Sequence, residues 1–134
     1  MKFQSLPSRS WCALIINSME LNPQDLTTSI GITPDYHHPA GISDFGESVK
    51  GHWQLNSIIS EELPLEDHIW DILKRIAPVR KEIKDCIESA EGIFYCSTEI
   101  TDLGAGGFQI SSRVLKLIGD LGASLQIHPF KPVL

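Results

Sequence analysis

The segment "DLGAGGFQISSRVLKLIGDLGA" spans Asp102 to Ala123. Strand-like runs flank it: "GIFYCSTEI" (Gly92 to Ile100) before and "SLQIHPF" (Ser124 to Phe130) after. Its glycines admit two readings, a phosphate-binding loop or a turn that opens a helix. A Walker loop requires Lys-Ser or Lys-Thr after its last glycine, because the lysine reaches the phosphates. Here Phe108 and Gln109 follow Gly107. A dinucleotide fingerprint requires GxGxxG, and Gln109 stands where the third glycine would allow close helix packing. Neither phosphate motif is present. The residues downstream fit a plain helix. Ser111 or Ser112 caps it, Val114, Leu117, Ile118 and Leu121 form its apolar stripe, and Gly122 closes it. An anion held at Ser111 and Ser112 beside Gly106 and Gly107 is the functional alternative. The structural turn is favoured.

Outward from this segment the chain reads β-α-β-α-α-β-α-β. "WCALIINS" (Trp11 to Ser18) is apolar on both faces and reads as a strand inside a sheet. In "NPQDLTTSIGI", Asn22 caps a short helix, Pro23 takes its first position, and Gly31 ends it. Thr33 to Gly51 holds two prolines and three glycines if its last residue is counted, and reads as the longest irregular stretch. "HWQLNSIIS" (His52 to Ser60) alternates as a strand with one buried face. Leu65, Ile69, Ile72, Leu73 and Ile76 form a helical stripe, Pro78 interrupts it, and Val79, Ile83, Cys86, Ile87 and Ala90 resume it.

Four strands and several one-sided helices predict one α+β domain over 1–134, with 1–9 a loose leading segment. The expected architecture is a two-layer sandwich. Its sheet is expected to be four-stranded and mainly antiparallel, with helices on one face, in a ferredoxin-like arrangement.

The formal net charge is −6, which argues against phosphate-led nucleic-acid binding and against anionic membranes. No apolar run approaches membrane-spanning length. Cys12, Cys86 and Cys96 show no CxxC spacing, so buried thiols in a reducing cytoplasm are expected, with no cofactor.

Five features, in this order and spacing, carry a resemblance. They are "LNPQDLTTSIGITP", "GHWQL", "LEDHIWDIL", the strand ending "STEI", and "GGFQISSRVLKLIGDLGASLQI". The chain resembles a bacterial family known only as a domain of unknown function, the one numbered four thousand two hundred and seventy-nine. Similar chains tend to end in acidic residues and a tyrosine in the last strand, where this chain has Gln126, His128 and Phe130. The resemblance implies no reaction, cofactor or catalytic residue. Some small bacterial families of this general kind accompany toxins as immunity proteins.

Candidate sites are weighed against blander readings. His37 and His38, with Asp44 nearby, offer zinc-type ligands, but without HxH or HxxxH spacing a solvated loop is favoured. His68 shares a helix face with Asp71, a pair that serves as a base in some enzymes and as a surface hydrogen bond in more. Glu99 and Asp102 end a strand, where facing carboxylates would make an acid–base pair. A polar turn is the simpler account. Trp53 belongs to a core, whereas Trp70, beside its helical stripe, suits an interface. The leading expectation is a non-catalytic protein-interaction module, of the immunity type or otherwise, with a protein partner or a second copy paired through a strand edge. A metal-dependent or acid–base enzyme built on the His37/His38 loop comes second. A small-molecule sensor at the glycine turn comes third.

Overall fold

The computed structural model describes residues 8–100 and 108–131. The main sheet is formed by β1 (Ser10–Ser18), β2 (Tyr36–His38), β5 (Gly51–Asn56), β6 (Glu91–Glu99) and β7 (Ser124–Phe130), in the order β2-β5-β1-β6-β7. β1 is central and pairs antiparallel with β5 and β6. β2 adds antiparallel to β5, while β7 runs parallel to β6. A separate hairpin joins β3 (Gly41–Ile42) to β4 (Ser48–Val49).

The sheet therefore has five strands and is mixed, not four-stranded and mainly antiparallel, and it does not match a ferredoxin-like layout. Two physical causes account for the difference. β2 arises inside the stretch that reads as irregular, where Tyr36, His37 and His38 take their order from Gln54, Trp53 and His52 across the ladder. β7 follows β6 by way of α4 (Ser112–Leu121). Such a helical crossover returns the chain to run parallel with its neighbour.

The helices α1 (Pro23–Ile30), α2 (Leu65–Ile76), α3 (Arg80–Glu88) and α4 pack on one face of this sheet. Their ends follow local chemistry. Asn22 accepts from Gln24 N to start α1, and Gly31 at φ 73° ends it. Ser111 accepts from Val114 N to start α4, and Gly122 at φ 80° ends it. Pro78 interrupts the helical path as the sequence predicts: α2 ends at Ile76, a 3-10 turn spans Ala77–Val79, and α3 begins at Arg80.

Alternation splits each strand. Cys12, Leu14 and Ile16 of β1, Trp53 and Leu55 of β5, and Phe94 and Cys96 of β6 all face the helices and are essentially inaccessible. Against them lie Ile69, Ile72 and Ile76 of α2, Ile83 of α3, and Val114 and Ile118 of α4. Each such side chain contributes about 1.5–3 kcal/mol by leaving water. Trp53 also satisfies its indole N–H, which donates to Thr27 Oγ1 at 3.1 Å and ties β5 to α1. Among the described residues no helix is long and apolar enough to cross a membrane.

Candidate functional site

Among the described residues the helices cover one face only, so the alternate residues of every strand form a second, helix-free face. The register brings Tyr36, His38 and His52 together at one end. His38 and His52 stack with centroids 5.3 Å apart, and Tyr36 meets both edge-on. Along β5 a polar chain runs from His52 Nε2 to Gln54 Oε1 (2.9 Å) and from Gln54 Nε2 to Asn56 Oδ1 (2.8 Å). At the other end Trp11 packs on Phe130 at 5.2 Å, and the Arg9 guanidinium lies 5.7 Å above the same ring. Arg9 also holds Glu99 through Nε and Nη2, at 3.0 and 2.9 Å. Arg9 is thereby tied to the end of β6. Tyr95 and His128 stack at 4.6 Å between these ends, and Gln126 Nε2 donates to His128 Nε2 at 2.6 Å.

Asn17 lies on this face too, opposite His52 and Glu91. Its Oδ1 is shielded from solvent and has no hydrogen-bond partner among the described residues. An orphaned acceptor of this kind costs about 1–3 kcal/mol unless a ligand donor relieves it.

The residues singled out from the sequence are dispersed. His37 and His38 are neighbours on a strand, so their side chains leave on opposite sides. His38 joins the stack with His52, and His37 does not. Asp44 is exposed in the turn of the β3–β4 hairpin. Among the described residues no three His, Cys, Asp or Glu side chains converge as a metal site would require. Glu99 is bound to Arg9, while Asp102, Gly106 and Gly107 lie outside the described residues. Ser111 caps α4, and its own N–H donates to the Glu66 carboxylate. A side chain of the protein thus stands where an anion at this helix end would bind, and Ser112 is an exposed first-turn residue.

His68 departs most from its sequence reading. It is buried, at 1% exposure, and its Nδ1 contacts Ser57 Oγ at 2.8 Å, not Asp71. Asp71 instead accepts from Ile58 N and pairs with Arg75. Burial pushes the His68 ring below its ordinary pKa, against the opposing pull of the Ser60 carbonyl and of Asp71. A serine–histidine contact suggests nucleophilic chemistry, but Ser57 Oγ also accepts from Cys12 N at 3.1 Å. The hydroxyl, just past the end of β5, is committed to joining β1 and α2. Cys12 and Cys96 face each other beneath α2 with sulfurs 3.4 Å apart. Their hydrogen bond and burial push the Cys12 thiol far up, away from a reactive thiolate.

Trp70 is half-buried on the outer side of the helix layer, under the Arg113 guanidinium at 5.3 Å. It lines a groove of about 1120 Å³ between α2, α3 and α4.

The residues missed from the sequence are those of the bare face: Trp11, Tyr36, His52, Tyr95, His128 and Phe130. The alternation in His52 to Asn56 marked one of its strips. Gln126, His128 and Phe130, where the chain departs from the chains it resembles, marked another.

Fold and surfaces together define an α+β domain with helices on one side of a mixed sheet and an aromatic, histidine-bearing surface on the other. The chain belongs to the family described as Domain of unknown function (DUF4279), whose model matches residues 8–130. No curated protein and no solved structure matches it.

Proposed function

We propose that the protein is a non-catalytic protein-interaction module, of the immunity-inhibitor kind, that seats a protein partner on the helix-free face of its sheet. The observation that carries this reading is the aromatic and histidine surface running from Tyr36 and His38 across to Trp11 and Phe130, with no helix over it among the described residues. Large rings that lose little rotamer entropy on binding are the residues interfaces favour. Trp11 is 39% exposed and Tyr36 54%, so both offer area to a partner. The shielded Asn17 Oδ1, without a partner among the described residues, adds an acceptor that a partner's donor would satisfy. The β3–β4 hairpin presents Phe45 at 92% exposure as a further contact.

The test is affinity capture from the native lysate with wild type and with Trp11→Asp/Tyr36→Asp, alongside light scattering of the purified chain. A stoichiometric partner retained by wild type and lost by the variant supports the reading. A partner held equally by both places the interface elsewhere. Self-association that the variant abolishes makes a second copy the occupant.

A further inference from the structure

We infer that the groove between α2, α3 and α4 is a second binding site, for an acidic amphipathic helix of a partner protein. It lies on the helix layer, on the other side of the molecule from the sheet face, and does not depend on the reading above. Five of the chain's eleven Lys and Arg line it, against two of its seventeen Asp and Glu. The cations are Lys74, Arg80, Lys81, Lys84 and Arg113, all exposed. Among the described residues none of the five is in a salt bridge. An acidic protein therefore concentrates positive charge around this groove. A field of that kind attracts an anionic partner and fixes its register.

The floor is apolar. Leu73, Ile76, Ile87 and Leu121 show their edges there, with Leu117 and Trp70 more open. A ligand matched to both features has an apolar stripe flanked by carboxylates. The walls set its length. Trp70, Leu73, Lys74 and Ala77 follow one stripe of α2 and its continuation, and Arg113, Leu117 and Leu121 follow one stripe of α4. Each stripe spans about 10–12 Å at a helical rise of 1.5 Å per residue, which is two turns of a helix. A helix two turns long, with its side chains, fills roughly 850–1200 Å³, comparable with the groove's volume of about 1120 Å³. Single small ligands occupy pockets of about 300–1000 Å³ and place one or two charges, not a ring of five. A helix laid in a groove with anchors at i, i+3/i+4 and i+7 uses the whole surface.

The experiment uses the full chain, isotope-labelled, titrated with a synthetic Glu/Leu peptide of about fourteen residues, long enough to become helical on binding. Its leucines stand at i, i+3, i+4 and i+7. A peptide of the same composition with scrambled order has equal charge but no stripe. Expected are saturable binding of the striped peptide, weaker binding of the scrambled one, and amide shifts confined to 70–88 and 112–122. Arg80→Glu/Lys84→Glu weakens binding at least about tenfold, and Arg80→Gln/Lys84→Gln by less. Both pairs are at exposed positions, and a far-UV spectrum and thermal midpoint like those of wild type confirm that each variant is folded. Equal binding of the two peptides, equal binding by wild type and charge-reversed chain, or shifts on the sheet face overturns the inference. So does a groove that takes up dodecanoate but no peptide, which would make the ligand a small anionic amphiphile. Concentration-dependent self-association lost in the charge-reversed chain overturns it in favour of a second copy.

Discussion

Ser57→Ala removes one hydroxyl, just past the end of β5, that serves both β1 and α2. Its oxygen accepts from Cys12 N at 3.1 Å and contacts His68 Nδ1 at 2.8 Å. Cys12 and His68 are each 1% exposed, so water reaches neither group without opening the gap between β1 and α2. A buried polar group left without a partner costs about 1–3 kcal/mol. Two such groups, allowing for relaxation around the lost oxygen, put the variant about 2–4 kcal/mol below wild type. Urea unfolding followed by tryptophan fluorescence reads this as a lower midpoint at unchanged slope. His68→Leu removes the ring together with its demand for a partner. With leucine there, the Ser57 hydroxyl serves Cys12 N alone, so the double variant costs less than the two single variants added. A loss below about 0.5 kcal/mol for Ser57→Ala, the range of a neutral surface change, would refute the reasoning. Simple additivity in the double variant would refute the coupling.

The same histidine sets a pH dependence. Burial lowers its folded pKa, so below about pH 6.5 the unfolded chain takes up a proton that the folded chain refuses. Its contribution is fully present above that pH and is lost as pH falls toward the folded value, at no more than about 1.4 kcal/mol per unit. Denaturation between pH 7.5 and pH 5 should show this slope in wild type and a shallower one in His68→Leu. Gly51→Ala places a Cβ 2.1 Å from the Leu21 carbonyl oxygen, a backbone atom that cannot swing aside. A loss of about 3 kcal/mol or more is expected, and a urea midpoint near that of wild type would contradict it. Thiol titration of the native chain with Ellman's reagent should find at most the half-buried Cys86, whose own thiol burial pushes up, and all three cysteines in urea.

The parts legible in the sequence are those decided within a few residues. The Asn22 cap, a serine cap at Ser111 or Ser112 (Ser111 in the structure), the Gly31 and Gly122 stops, and the Leu65 to Ile76 stripe stand as read, because capping and helical period are local. β2 was hidden because its three residues become a strand only by pairing with β5. The parallel placement of β7 was hidden because period fixes a strand and not its direction. Alternation in β1 separates Trp11, Ala13 and Ile15 from Cys12, Leu14 and Ile16, but both sets are apolar. Which set meets the helices depends on how α2 docks. His68 misled through its acidic neighbours Asp67 and Asp71. Its spacing from Leu65 and Ile72, three residues back and four ahead, placed it on the buried stripe and was the signal to follow. The cation-lined groove was not legible in the sequence, because Lys74, Arg80, Lys84 and Arg113 meet only when three helices pack.

Net charge misleads for a related reason. A value of −6 is a sum over the whole surface, whereas a partner meets one part of it. The total is acidic, yet the groove between α2, α3 and α4 is lined by Arg and Lys, and the bare sheet face is aromatic and histidine-rich. These two surfaces lie on opposite sides of a two-layer domain, separated by the sheet and the helices on it. Between solvent-exposed charges further apart than the Debye length, about 8 Å at physiological salt, interactions are largely screened. Charge changes in the groove are therefore weakly felt on the sheet face, and distant sites with no shared contacts combine additively. Trp11→Asp/Tyr36→Asp should leave affinity for the acidic helix within about twofold of wild type, and Arg80→Glu/Lys84→Glu should leave the sheet-face partner bound. Loss of both activities in either variant would mean one continuous interface, and would require a partner large enough to wrap the edge of the sheet.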